Sequence, residues 1–333
     1  MNFNFTLLII FFFLINSFII IFIDKLIYFF NIYDYPDTSR KFHKKKTSLL
    51  GGSIILLNLV IFYILNLYLN NQLINNINLN QLMIGVVLFY FLGLIDDKID
   101  LSANLKFIFE LLIVFLVITF DKNIIIERLF FSSLNINIFL GSYSFLFTTI
   151  CIVIFLNALN MFDGMNGQAG FYSLIIFLTL MFFLREDLLF LTIIISSLII
   201  FLYFNLKSKV FLGDNGTNLL GFLISYLIII SAKKNNYLLL SADQIFMLMI
   251  LPGLELMRLF VTRSLQRKHP FSSDRNHIHH KLLSRYSEVK SLVIILLLII
   301  TSVVFLFFFN NLLYLFIIIY TFFYLLIIKM NDK

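Results

Sequence analysis

Charge is scarce in this chain. Of its 333 residues, 13% are Asp, Glu, Lys or Arg and 61% are hydrophobic. A soluble domain is nearer half apolar and a quarter charged. The composition therefore excludes a water-soluble enzyme and predicts an all-α polytopic membrane protein, folded as one transmembrane bundle over residues 1–333. Cysteine is nearly absent: Cys151 stands alone inside an apolar run, which excludes an internal disulfide and a cysteine metal cluster. Tryptophan is missing altogether, so tyrosine must supply the interfacial aromatic belt. Ionisable residues are almost missing from the middles of the apolar runs, where a carrier or channel would need them. The net charge of +7 could suit nucleic acid, but the placement of the cations assigns it to a membrane surface instead.

What is present is a series of apolar runs long enough to cross a bilayer. Eleven spans are expected, near 5–30, 50–69, 81–95, 105–120, 145–160, 168–184, 188–204, 217–232, 243–262, 291–309 and 312–328. The first lacks a basic start and a small-residue cleavage site and reads as a retained span, not a signal peptide. Residues 121–144 form a longer connector with a strand-like piece. Eleven spans put the termini on opposite faces. Of the 25 Lys and Arg, only Lys122, Arg128, Arg185, Lys233 and Lys234 fall on the face away from the C-terminus, and Lys25 and Arg258 fall within spans. By the positive-inside rule the C-terminus is expected in the cytoplasm and the N-terminus outside. The chemically rich loops, 31–49, 96–104, 157–167, 205–216 and 263–290, all land on the cytoplasmic face, which favours an enzyme at that surface over a carrier.

Five segments carry the candidate chemistry. Asp96 and Asp97 are adjacent carboxylates at a membrane edge, which repel unless a cation or proton intervenes; Asp100, Lys106 and Glu110 follow. Asn157, Asn160 and Asp163 are spaced by three, so on a helix they share a face and present oxygens suited to a hard cation. Phe211-Leu-Gly-Asp214-Asn-Gly216 opens the eighth span. It reads either as a helix cap or as a carboxylate facing a metal, with glycines allowing close approach and Phe211 able to stack on a flat base. His277, His279 and His280 follow Arg275 within a few residues. Three histidines can hold zinc, but the Arg, Lys and Asp around them suit a phosphate better. The first loop, Asp34 to Gly52, is strongly basic, as a lipid anchor would be.

Together these segments resemble the polyprenyl-phosphate N-acetylhexosamine-1-phosphate transferases of glycosyltransferase family 4, closest to the WecA/TagO branch. The pieces appear in the family's order from Asp34 to Leu283: Asp34-x-Pro36, Arg40-Lys41-x-His43 and Gly51-Gly52; DDxxDLxxxxK from Asp96; NxxNxxDGxxG from Asn157; FLGDxG from Phe211; and PFSxDRxHIHH ending at His280. The HIHH run separates this branch from the muramyl-pentapeptide transferases. The resemblance implies transfer of a sugar 1-phosphate from a UDP-N-acetylhexosamine, by default UDP-GlcNAc, to undecaprenyl phosphate in the bacterial inner membrane, with release of UMP. It implies Mg²⁺, replaceable by Mn²⁺, held by Asp214 and Asn160. Asp96, Asp97 and Asp163 would act at the reaction centre and Lys106 on a phosphate. Phe211 and Asn166 would contact uracil, with Asn157 also on the nucleotide. His277, His279, His280 and Arg275 would close over the diphosphate or sugar. Membrane lipid is the expected surrounding partner, a homodimer is compatible with the reading, and nucleic acid is not expected. The family's DGxDG reads Asp163-Gly-Met-Asn166-Gly here. Ser48 stands where Pro is usual and Glu255 where Asp is usual, and neither is assigned to the site. The alternative from another class is a carrier or flippase of lipid-linked or nucleotide sugars.

Overall fold

The computed structural model describes residues 5–35, 46–70, 73–74, 77–233, 239–268, 275–309 and 312–330. The basic stretch from Arg40 to Lys45 and the run from His269 to Asp274 lie outside them. Helix α8 (Gly213–Lys233) is the axis of the bundle. From Asn218 onward it is apolar on nearly every side, the pattern of a helix buried all round, and every residue from Asn215 to Ser231 is buried. Four helices pack directly on it: α2 (Gly51–Tyr68), α3 (Leu79–Ile99), α5 (Ser144–Phe162) and α6 (Gln168–Phe183). Outside them, α1 (Phe5–Phe30) and α7 (Leu188–Asn205) lie against α2, and α4 (Ala103–Phe120) bridges α3 and α5. Helix α9 (Ala242–Leu265) leans on α5 and carries α11 (Glu288–Phe308) and α12 (Leu313–Met330), with the short α10 (Ile278–Leu283) set against α11.

Each of the eleven expected spans coincides with one long helix. Among the described residues, nine helices are long and apolar enough to cross a membrane. The other two are α6, at 16 residues, and α3, whose last turn is Asp96-Asp97-Lys98. The boundaries differ from expectation at the polar ends. The loop expected from residue 96 starts only at Asp100, which turns the chain with a positive φ of 54°. Ser102 then caps α4 by accepting from the Leu105 amide. Asp96 and Asp97 are thus held on a helix rather than on a loop.

Two small sheets flank the bundle. The strand-like piece expected in 121–144 is an antiparallel hairpin of β3 (Arg128–Phe131) and β4 (Ile136–Phe139). Its turn is pinned to the start of α9 by Asp243, which accepts from the amides of Ser132 at 3.2 Å and Ser133 at 2.9 Å. In the first loop, the pairing of β1 (Tyr33–Asp34) with β2 (Thr47–Ser48) was not foreseen. Ser48 also bridges Val210, so the first loop is stitched to the segment that leads into α8.

Close approach of α3 to α8 requires glycine. A Cβ at Gly93 would sit 2.2 Å from the Asp214 carbonyl oxygen, inside any tolerable contact. Gly93→Ala is expected to force the helices apart at a cost of about 1–3 kcal/mol and to lower the melting temperature of the detergent-solubilised protein. Gly253→Ala, where a Cβ meets nothing within 4 Å, should leave the melting temperature unchanged or raise it slightly.

Candidate active site

The polar ends of α3, α4, α5 and α8 meet at one end of the bundle. Lys106, from the first turn of α4, places its ammonium 2.8 Å from Asp96 Oδ2 and 3.3 Å from Asp214 Oδ2. Asp96 Oδ1 accepts from the Leu101 amide at 2.8 Å, which fixes the carboxylate over the α3–α4 turn. Asn160, from the last turn of α5, donates to Asp214 Oδ1 and, at 3.2 Å, to Thr217 Oγ1. Asp97 faces the start of α8: its Oδ1 accepts from the Asp214 amide at 2.9 Å. Its Oδ2 accepts from the Asn215 amide at 3.1 Å and the Asn215 side chain at 2.6 Å. A carboxylate there satisfies amides that have no partner within the helix and sits at the positive end of the helix dipole.

Asp163 ends α5 and joins this group electrostatically. Burial, then the charges of Asp214 and Asp97, push its carboxyl up to about 7. Negative charge crowded in this way suits a hard cation. Asp214, Asp163 and the Asn160 side-chain oxygen are the groups able to hold one. Among the described residues no three His, Cys, Asp or Glu side chains converge as a metal-binding group. That sparse donor set fits Mg²⁺, which takes one or two carboxylates and completes its shell with water and phosphate oxygens.

The histidines reach the same place through a glycine. The ring of His279 lies on Gly164, where a Cβ would fall 1.8 Å from its Cε1, so the Asp163-Gly164 turn and α10 close on each other. The rings of His277, His279 and His280 form a cluster, with centroids 4.2 to 6.0 Å apart. His277 caps α10, and its Nε2 lies 3.2 Å from Nη2 of the buried Arg263.

Other expected residues stand apart from the carboxylate cluster. Asn157 lies one turn deeper on α5 and donates to Glu110 of α4 at 2.5 Å. Asn166 is at the surface, donating to Ser208 at 2.9 Å and Glu288 at 3.0 Å. Arg275 is exposed. Phe211 is half-buried, with its backbone paired to Ser48 and Gly51 at 2.8 and 3.0 Å.

Several supporting residues were not foreseen. Glu255 is 1% exposed, inside α9. It accepts from Arg258 at 2.9 Å and from the Ile278 amide at 2.8 Å, and pairs with the Tyr324 hydroxyl. Arg258 in turn holds the Asn276 carbonyl at 2.6 Å. This knot fastens the histidine segment to α9 and α12. The signal was in the sequence: a Glu and an Arg three apart in an apolar helix are costly there unless paired. Asn205, at the end of α7, links the two loops beside the site. It accepts from the Gly167 amide at 2.6 Å and donates to the Val210 carbonyl at 2.9 Å.

Comparison with known sequences adds an independent line. The family model described as Glycosyl transferase family 4 matches residues 79–232, which include Asp96, Lys106, Asn160 and Asp214. The chain is 30% identical over 262 residues to the undecaprenyl-phosphate alpha-N-acetylglucosaminyl 1-phosphate transferase of Thermotoga maritima, covering 78% of this chain and 76% of that one. It is 28% identical over 258 residues to the probable undecaprenyl-phosphate N-acetylglucosaminyl 1-phosphate transferase of Bacillus subtilis, covering 74% and 68%. With the corresponding Escherichia coli K12 transferase the identity is 24% over 208 residues, and the match spans only 55% of that protein's length.

His279, 4% exposed, has its pKa lowered well below the usual histidine value, first by burial and then by His280 and His277. A base depressed in the folded state binds fewer protons there than in the unfolded chain, so stability falls as pH drops through the unfolded value near 6.5. Melting temperatures between about pH 7.5 and 5 should therefore decline more steeply for the native chain than for His279→Gln. Equal slopes would contradict this placement of the ring.

Proposed function

We propose that this chain, which belongs to glycosyl transferase family 4, transfers a sugar 1-phosphate from a UDP-sugar to undecaprenyl phosphate. UDP-GlcNAc is the donor suggested by the names of the similar transferases. An oxygen of the lipid phosphate attacks the β-phosphorus of the donor. The bond from that phosphorus to the oxygen bridging it to the α-phosphate breaks, and UMP leaves with that oxygen. The products are undecaprenyl-diphosphate-sugar and UMP.

The observation that carries the reading is the Lys106 ammonium lying between Asp96 and Asp214, with Asn160 on the same Asp214 carboxylate. Phosphoryl transfer asks the protein mainly for charge neutralisation and alignment, and this is a set of opposite charges in a partly desolvated place. Lys106 neutralises a phosphate of the donor, moving from Asp96 and Asp214 when the substrate arrives. Asp97 is fully engaged by α8 and acts by fixing Asp214. Asp163, with its carboxyl near neutrality, accepts the proton of the lipid phosphate. His279 and its neighbours close over the diphosphate, carried by the knot at Glu255. Mg²⁺, which Mn²⁺ can replace, is the proposed cofactor at Asp214 and Asn160; when bound, it would neutralise charge developing on the diphosphate. The cluster faces the cytoplasm of a bacterial inner membrane, with the N-terminus outside, following the placement of the cations.

Membranes carrying the protein, supplied with UDP-GlcNAc, Mg²⁺ and undecaprenyl phosphate, are expected to form lipid-linked product and an equal amount of UMP. Asp214→Asn should lower the rate by about a hundredfold or more at unchanged protein level, as the loss of a charge needed in the transition state would. Asp97→Asn should do likewise, by loosening the start of α8. Near-native UMP release from both variants would break the assignment.

A further inference from the structure

Glu110 has no place in the chemistry above, yet it is 0% exposed in the interior of α4. A buried carboxylate is costly unless something holds it. Its Oε2 accepts from Asn157 Nδ2 at 2.5 Å, and its Oε1 has no hydrogen-bond partner among the described residues. The same Asn157 nitrogen lies 2.9 Å from the Val153 carbonyl oxygen. A carbonyl only accepts, so the atom that touches both Val153 and Glu110 must be the amide nitrogen. Both of its hydrogens are then spent. Among the described residues Asn157 Oδ1 accepts no bond, and it is not among the buried unpartnered atoms. It sits one helical turn from Asn160, which touches Asp214. Lys106, which reaches Asp96 and Asp214, lies one turn from Glu110 on the facing helix.

We infer that Glu110 is a positioning residue that locks Asn157 into an acceptor-only orientation, so that Asn157 meets an electropositive group and not a phosphate oxygen. On the function proposed above, that group is a hydroxyl or N–H of the nucleotide sugar, or the divalent cation. A phosphate offers only acceptors at this position. Without Glu110 only the Val153 carbonyl holds the amide nitrogen, and a Leu or Ala at 110 would pack the helix more cheaply. The orientation, not the packing, is what the acid supplies.

The test uses the full-length protein in detergent. It measures equilibrium binding of UDP-GlcNAc with Mg²⁺ and again in EDTA, so it reads orientation without turnover. Glu110→Ala should weaken binding about tenfold, the usual loss for one buried hydrogen bond. Asn157→Asp sets two carboxylates face to face and should weaken it at least as much. Combining Glu110→Gln with Asn157→Asp reverses the direction of the bond. The amide introduced on α4 donates, and the carboxylate introduced on α5 keeps an outward acceptor. This double variant restores the bond across the helices but not the one to the Val153 carbonyl, and should recover part of the affinity lost in Asn157→Asp. Such recovery cannot come from a misfolded protein, so the comparison decides even if Glu110→Ala precipitates. Loss and recovery seen in EDTA as well as Mg²⁺ assign the partner to the nucleotide sugar; loss and recovery confined to Mg²⁺ assign it to the cation. A double variant no better than Asn157→Asp, or Glu110→Ala binding like the native chain, overturns the inference. Native protein that fails to bind any UDP-sugar would instead count against the proposed function.

Discussion

The carboxylate of Asp97 closes on the first amides of α8, and the arrangement of the site follows from that contact. Hydrogen bonds to a charged group are worth about 1.5–3 kcal/mol each, and Asp97 takes three of them from Asp214 and Asn215. They tie the last turn of α3 to the first turn of α8 and fix the direction in which the Asp214 side chain leaves its helix. From that direction come the meeting of Asp214 with Lys106 and Asn160, and the crowding of negative charge that Asp163 feels. Gly93 is part of the same device, because only a residue without Cβ lets the two helix ends come this close.

The fold was largely legible. Run length and polarity place the eleven long helices, and hydrophobic patterning needs no knowledge of partners. The same patterning misplaced the polar ends, because helix α3 continues through Asp96 and Asp97 on backbone bonds that hydropathy does not see. The β1–β2 pair was invisible for a similar reason: two-residue strands depend on a partner across the loop.

The site was legible in its residue types more than in their roles. Spacing by three along α5 puts Asn157, Asn160 and Asp163 on one face, yet the structure gives them separate partners: Glu110, Asp214 and the field of two carboxylates. Asp97 read as a second acid at the reaction centre, and the structure adds that it caps a helix whose first bonded amide comes 117 residues later. No local pattern encodes such a bond. Glu255 read as a departure from a motif and proved to be the anchor of the histidine segment. Glu110 and Glu255, buried inside long helices, both have partners next to the site and support its shape.

At the centre of this account is the proposal that the joined ends of α3, α4, α5 and α8 hold one divalent cation on Asp214 beside Lys106. The most direct test is a structure solved with Mn²⁺ and UDP-GlcNAc, with manganese located by its anomalous scattering. The account predicts one peak at about 2.1–2.2 Å from an Asp214 carboxylate oxygen, the range for a small hard cation on oxygen, with the Lys106 ammonium moved from Asp214 to a phosphate. A peak among His277, His279 and His280, or an Asp214 still paired with Lys106 while the metal binds elsewhere, would contradict it.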